Sequence, residues 1–508
     1  MNKMRSCGIT VLMLTAAFVL TSVLAPAAQA ALRCVPAPIA GQTCDFDYAT
    51  IQDALAAAGA GDTVMVDAGT YSENVSIGVS LTLTAAPGTK PIIDGTSSGN
   101  AVSFWGVNSV TVNGFEIKNG WNGIQGETSL STFTNNDIHH NVNLPGFNGV
   151  GISLWGDNDG NDISNNTIHH NDRQGVFIGF SDPTVRSTEN IISGNTIYSN
   201  GLDLTTVLPD ASQYGIQLWN ADENTISGNE IFDHSSWSFG QGVYLCGAEN
   251  NQVTGNSIHG NRLNIGVFHC GSTSGGNTIT DNIIYAATGS GGWAPAGIWN
   301  YDDSGAGTNV AHNNCIVGNS NHGVQNLDDV QVLNAENNWW GSADGPAPPG
   351  NGDAISGNVD ADPFLTVPAI PCKGFVTGGG IVDSYEGADL ANTTAAGPAT
   401  FGFVSKYVKG ATAPSGNLEF QFQAGDLNFK STSMDWLVVT GEPRAQFRGE
   451  GTINGATVCK FEADAWDGSY GTGNDAFGLK IFACTGGADR YNLSATALTK
   501  GSIVVHKK

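Results

Sequence analysis

Carboxylates recur just behind one kind of phrase in this chain. The phrase is Gly, an aliphatic residue, a variable one, a second aliphatic residue and a second variable one. Asp157 and Asp159 follow it at Trp155, Asp182 follows Gly179, and Asp222 and Glu223 follow Trp219. Asp302 and Asp303 follow Asn300, and Asp328 and Asp329 follow Gln325. Carboxylates stacked along one rim repel unless one is protonated or a cation sits between them. Two of them about 5–9.5 Å apart could serve as acid and base on a glycosidic bond. The same oxygens could hold Ca²⁺. Asp is also an ordinary turn residue, so spacing leaves the three uses open. Asp157, Asp182 and Asp222 are the candidate catalytic acids, and Asp302, Asp303 and Asp328 the candidate Ca²⁺ ligands. The pattern requires no other cofactor.

The variable positions carry rings. Side chains alternate across a strand, so Ile152 and Leu154, Val176 and Ile178, and Ile216 and Leu218 are expected to point inward. The first variable position is then Ser153, Phe177, Gln217, Tyr244, Phe268, Trp299 and Gln325. The second is Trp155, Gly179, Trp219, Cys246, Cys270 and Asn300. Trp155, Phe177, Trp219, Tyr244, Phe268 and Trp299 form the expected substrate-binding ladder, because outward aromatic rows are costly unless covered and flat rings suit sugar rings. The competing reading is that loops bury them. Four longer spacers, bearing Phe147, Tyr214, Trp237, Phe239 and Trp293, are expected to wall a cleft, since insertions in repeat proteins gather on one face.

Basic and imidazole groups are few. Arg173 and Arg262 stand just before Gly175 and Gly266. Arg173 is the candidate partner for a uronic carboxylate in a β-elimination. His139, His169 and His259 follow Ile at equivalent places and could bind Cu or Zn. Tyr198, Phe232 and Tyr285 fill the same column, which favours a plain outward column.

These residues are positioned by a repeat. Asn136-Asp137-Ile138, Asn166-Thr167-Ile168, Asn195-Thr196-Ile197, Asn229-Glu230-Ile231 and Asn256-Ser257-Ile258 interleave with Gly151-Ile152, Gly175-Val176, Gly215-Ile216 and Gly242-Val243. No single unit can bury its apolar row, so the units must stack. The expected architecture is all-β: a right-handed parallel β-helix with a short N-terminal capping helix over Tyr48 to Ala58. The Asn residues are expected to satisfy buried backbone groups at the corners.

Residues 1–30 read as a secretory signal, with Lys3 and Arg5, an apolar run from Val11 to Leu24, and Ala28-Gln29-Ala30. No later run is long and apolar enough to span a membrane. A secreted or periplasmic protein is expected. Residues 31–371 contain six basic and 33 acidic residues. Such a surface repels nucleic acid and meets polyanions only through cations. Eight cysteines remain beyond the signal; Cys34 with Cys44, Cys246 with Cys270, Cys459 with Cys484 and Cys315 with Cys372 are the expected pairs.

The opening Gly69-Thr-Tyr and Leu81-Thr-Leu-Thr, the Asn-x-Ile repeats, and the closing Asn338-Trp-Trp-Gly with Gly357-Asn-Val-Asp resemble the pectate-lyase-like β-helix superfamily. The resemblance covers roughly Phe46 to Phe364 and implies the fold and a plausible lyase. The acid triplets of β-helical pectin hydrolases are not evident. Some periplasmic copper-handling proteins resemble the same fold. Beyond a Pro-rich stretch, alternating runs such as Leu418-Glu-Phe-Gln-Phe and Trp436-Leu-Val-Val predict a β-sandwich, which resembles a C-terminal module of bacterial secreted proteins. The expected domains are 1–30, 31–366 and 367–508. The expected function is recognition of an extracellular polysaccharide, with cleavage as glycoside hydrolase or lyase. The alternatives are a non-catalytic carbohydrate-binding or adhesion protein, and a periplasmic metal-handling protein. Oligomeric state is not legible.

Overall fold

A computed structural model describes residues 30–36, 38–142, 149–201, 213–234, 240–289, 294–301, 307–328, 330–367, 374–408, 413–439, 444–470 and 473–506. The signal segment, Phe147, Trp237, Phe239, Trp293, Asp302, Asp303, Asp329 and Cys372 lie outside the described residues.

Three parallel sheets run along the first unit, with 14, 10 and 12 strands among the described residues. Successive strands of the chain fall in different sheets, and each pairs with its equivalent one turn later. Asp137–His139 pairs with Thr167–His169, and Val150–Trp155 with Gln174–Gly179. This is a parallel β-helix. Each turn contributes its aliphatic residues to one continuous core; Ile138, Ile168, Ile197, Ile231 and Ile258 stack in one fully buried column. The helix Ile51–Ala56 covers one end of that core with Ile51, Ala54 and Leu55. Thr50 caps it by accepting the Asp53 N–H, and Glu73 accepts the N–H groups of Ile51 and Gln52.

Buried amides hold the corners. Between the first and second sheets the N–H of each ladder Asn donates to the side-chain oxygen of the next: Asn136 to Asn166, Asn166 to Asn195, Asn195 to Asn229, Asn229 to Asn256, at 2.9–3.0 Å. Each amide nitrogen also donates to the next oxygen and to a core-strand carbonyl, as Asn195 does to Asn229 and Ile163. A second ladder runs through Asn141, Asn171, Asn200, His234 and Asn261, and a third through Asn161, Asn190, Asn224, Asn251 and Asn277. The Asn repeat is therefore structural: a bend that buries backbone polar groups needs a side chain with both donor and acceptor.

Glycine starts the third-sheet strands for a steric reason. A Cβ on Gly175 would stand 2.6 Å from the Gly215 carbonyl oxygen and from Cγ2 of Ile197. Gly175→Ala is expected to lower stability by about 2 kcal/mol or more through this overpacking. Urea denaturation checks it; an unchanged midpoint would contradict the account.

One strand is placed differently from the expectation. Ile265 pairs with Val243, and Val267 with Leu245, so Asn264 takes the Gly position and Gly266 the first outward one. Phe268 accordingly sits in the second outward column, opposite Cys246 and Tyr301. The cause is apolarity: this register buries Ile265 and Val267, whereas the other would turn His269 inward. Asn300 also points inward, where it bonds Asn326 and Asn309, and Tyr301 takes the outward place.

The second unit is one antiparallel sheet of nine strands among the described residues, from Phe375–Ser384 to Lys500–His506. It folds over its own core of Phe403, Phe420, Phe429, Phe447, Phe461 and Phe477. Its last strand reaches across: Val505 and Ile503 N–H donate to Asp467 and Asp475. Trp436 and Val438 pack on Tyr285, Cys315 and Trp339 of the coil. Cys34–Cys44, Cys246–Cys270 and Cys459–Cys484 are bonded. Cys246 and Cys270 are not register partners; the turn after Phe268 brings Cys270 back beside Cys246.

Candidate functional site

The outward face of the third sheet carries the aromatic residues in two neighbouring groups. Trp155 stands 4.8 Å from Phe177 and 6.2 Å from Phe180, and Phe177 lies 6.5 Å from Trp219. Further along, Tyr244 stands 5.1 Å from Phe268, and Phe268 lies 6.2 Å from Trp299. Phe177, Phe268 and Trp299 are buried at 3–6 % exposure, while Trp155, Trp219 and Tyr244 are half-buried. The ladder is thus part floor and part contact surface.

Two adjoining hollows share Trp155. The larger, of about 700 Å³, is lined by Trp105, Gln125, Glu127, Trp155, Asp157 and Phe180, with Arg186 at its side. Trp105 is 56 % exposed. The Glu127 carboxylate lies against Gly156, whose φ of +99° suits a residue with no side chain. The smaller, of about 280 Å³, is lined by Arg173, Gln174, Phe177, Gln217, Trp219 and Tyr244 among others. Gln174 donates to Gln217 at 2.6 Å, and burial raises the Tyr244 phenol above its ordinary pKa.

The candidate acids separate. Asp157 lines the larger hollow. Asp222 lies 3.3 Å from Arg186 and accepts the Glu249 N–H; burial raises its pKa. Arg186 also donates to the Gly247 carbonyl. Asp182 is an exposed turn residue that accepts from the Thr184 N–H and hydroxyl, and these bonds lower its pKa. Asp328 is buried and accepts the N–H groups of Val330 and Gln331. Arg173 lines the smaller hollow, and Arg262 occupies the same column three turns on. Trp105, Phe180 and Arg186 lie outside the repeat phrase, and Glu127 ends a degenerate copy of it, Gly123-Ile124-Gln125-Gly126-Glu127. Trp105 and Glu127 could have been found by extending the outward column back to Val102–Trp105 and Ile124–Glu127.

A second cluster lies on the second sheet. His139, His169, Tyr198, Phe232, His259 and Tyr285 stack face to face, with successive centroids 4.4–5.0 Å apart. His140 and His170 stack beside them at 5.5 Å. His139 Nε2 lies 3.4 Å from Glu116 and His169 Nε2 lies 3.1 Å from Asp137. The His169 bond, with Lys90 beside it, holds Asp137 below the ordinary carboxylate range. Burial lowers His139 and His170. The signal missed in the sequence is the doubled phrase Ile-His-His-Asn at 138–141 and 168–171.

A family model described as the periplasmic copper-binding protein NosD matches residues 57–320, just over half of the chain. The chain belongs to the NosD family. No curated protein matches it. Solved structures similar to this NosD-family chain include an alginate lyase from Paenibacillus sp., at 15 % identity and TM-score 0.38, covering 65 % of this chain and 99 % of that one. A pectate lyase matches at 14 % identity and TM-score 0.41, covering 65 % and 79 %. A surface adhesin of Streptococcus pneumoniae matches at 14 % identity and TM-score 0.34, covering 57 % and 80 %. The likeness is one of fold alone. The disulfides and the family fit an extracellular or periplasmic protein. No helix among the described residues is long and apolar enough to cross a membrane.

NosD membership implies copper, and the donors present can be weighed against it. Every described cysteine is disulfide-bonded; Met434 is buried in the second core, and Met65 packs against Cys34 at the start of the coil. Among the described residues no three His, Cys, Asp or Glu side chains converge on one metal-sized point. What fits Cu²⁺ in donor chemistry is the pair of imidazoles on each of two successive turns.

Proposed function

We propose that this exported NosD-family protein binds a polysaccharide in the groove of its third sheet. The observation that carries the reading is the shared Trp155: two hollows meet at one half-buried indole, with Trp105 and Phe180 on one side and Trp219 and Tyr244 on the other. Rings on a long concave surface, with a few polar groups between them, suit an extended chain of sugars. The coil is strongly acidic, which favours an uncharged glycan over a polyuronate. A second reading, hydrolysis, is favoured by Glu127 and Asp157 lining the same hollow; two carboxyls flanking a glycosidic bond are what that chemistry needs.

A panel of neutral and acidic polysaccharides, assayed for binding and for new reducing ends, tests both. Trp155→Ala is expected to weaken binding at least tenfold, roughly 1.4 kcal/mol, while the protein remains folded at the assay temperature. Unchanged affinity would remove the groove reading. Reducing ends that vanish in Asp157→Asn would establish hydrolysis, and unsaturated products would establish a lyase in its place.

A further inference from the structure

The two hollows of the groove differ in charge. The larger is lined by Glu127 and Asp157, whereas the smaller is lined by Arg173 and by no carboxylate among the described residues. Arg186, the cation beside the larger hollow, is already engaged by Asp222 at 3.3 Å and by the Gly247 carbonyl at 2.6 Å. Lys90 and Lys118 are paired with Asp137 and Glu116 on the second sheet. Glu127 itself stands between two tryptophans. It is the register partner of Trp105, and Gly126 is that of Leu154, so Trp155 follows Glu127 in the same outward column one turn on. Strands lie about 4.8 Å apart, which sets one indole on each side of the carboxylate. Phe180 meets Trp155 edge-on at 6.2 Å. A cation between indole faces and a carboxylate is attracted by both, and the rings keep water from screening the pair.

We propose that the larger hollow is a subsite for a protonated amino sugar, so that the glycan held by the groove carries free amino groups. This rests on the sugar-groove reading and narrows it to a substrate class. An acidic coil that disfavours uronic acids attracts a glycan of the opposite charge. The sugar ring lies on the Trp155 indole, its ammonium group is directed at Glu127 between Trp105 and Trp155, and neighbouring hydroxyls meet the oxygens of Glu127 and Asp157. An acetylated amine has no charge to offer there. The requirement is confined to the larger hollow: Arg173, Gln174 and Gln217 in the smaller one suit an uncharged ring.

The test is calorimetric titration of full-length mature protein with three hexamers of one linkage, built from glucosamine, N-acetylglucosamine and glucose, at a mildly acidic pH where the amine is charged. The glucosamine hexamer is expected to bind at least tenfold more tightly than the other two, by a margin that shrinks with added salt. Glu127→Gln keeps the size of the side chain and is expected to erase that preference. Glu189→Gln removes the same charge from an exposed corner outside the hollow and is expected to keep it. Three equal affinities, all lost in Trp155→Ala, would overturn the amino-sugar subsite and leave the groove standing. No binding that depends on Trp155 would remove both. A preference that survives Glu127→Gln, or that Glu189→Gln also erases, would overturn the subsite, as would a free amine such as choline bound as tightly as the hexamer.

Discussion

Asn195→Ala is expected to cost at least about 3 kcal/mol of stability. Its side-chain oxygen accepts two hydrogens from Asn166, one from the backbone N–H and one from the amide. Its nitrogen donates to the carbonyl of Ile163 and to Asn229. Alanine leaves the two Asn166 donors and the Ile163 carbonyl without their partner in a place closed to solvent, at about 1–3 kcal/mol for each stranded group. The loss of hydrophobic area is small by comparison. Denaturant unfolding measures the effect; a shift worth under about 1 kcal/mol would show that the ladder is ornamental.

The second large effect is a pH dependence carried by His234. This imidazole stands where the second ladder otherwise has Asn. Its Nδ1 lies 2.9 Å from the Asn261 oxygen, and its Nε2 lies 3.3 Å from the Asn200 amide nitrogen. With Nδ1 donating and Nε2 accepting, the neutral ring copies both functions of an amide. Full burial lowers its pKa from 6.5 to about 4. Above pH 6.5 folded and unfolded states are both neutral, and the stability is fully present. As the pH falls below 6.5 the unfolded chain takes up a proton that the folded chain refuses. Stability is then lost progressively down to about pH 4, by about 3 kcal/mol. His234→Asn restores the ladder residue and should remove that share of the acid slope while leaving the pH 7 fold intact. Unfolding midpoints of both proteins at pH 7 and 4.5 decide it; parallel pH curves would refute the assignment.

The parts of the structure that were legible are those the backbone repeats. The Ile column, the Asn corner and the Gly strand start each serve one geometric need at turn after turn, so spacing reveals them, and the capping helix shows as an amphipathic run ahead of the first turns. Legibility failed where a turn departs from the phrase. Asn264 stands for Gly, so the phrase points to a register two residues off for the strand around Ile265 and puts Phe268 in the other outward column. Asn300 reads as an outward residue only if polarity is trusted over register; its bonds to Asn326 and Asn309 make it an inner one. The acids illustrate the same point. Asp157, Asp182 and Asp222 follow the same phrase, yet one lines the groove, one closes a turn and one anchors an arginine. Which of these a carboxylate does depends on what the neighbouring turn offers it. The phrase hides Trp105 because Ala101 stands for its Gly, and Glu127 because Gly126 stands for its second aliphatic residue.

The central claim is that Trp155 and its neighbours hold a sugar chain. Its most direct measurement is a crystal structure with the tightest-binding oligosaccharide of the panel. The account predicts a sugar ring over the Trp155 indole, with hydroxyls at Glu127 and Asp157 and the chain passing toward Trp219. An oligosaccharide seated only on the C-terminal sheet, with the groove empty, would contradict it.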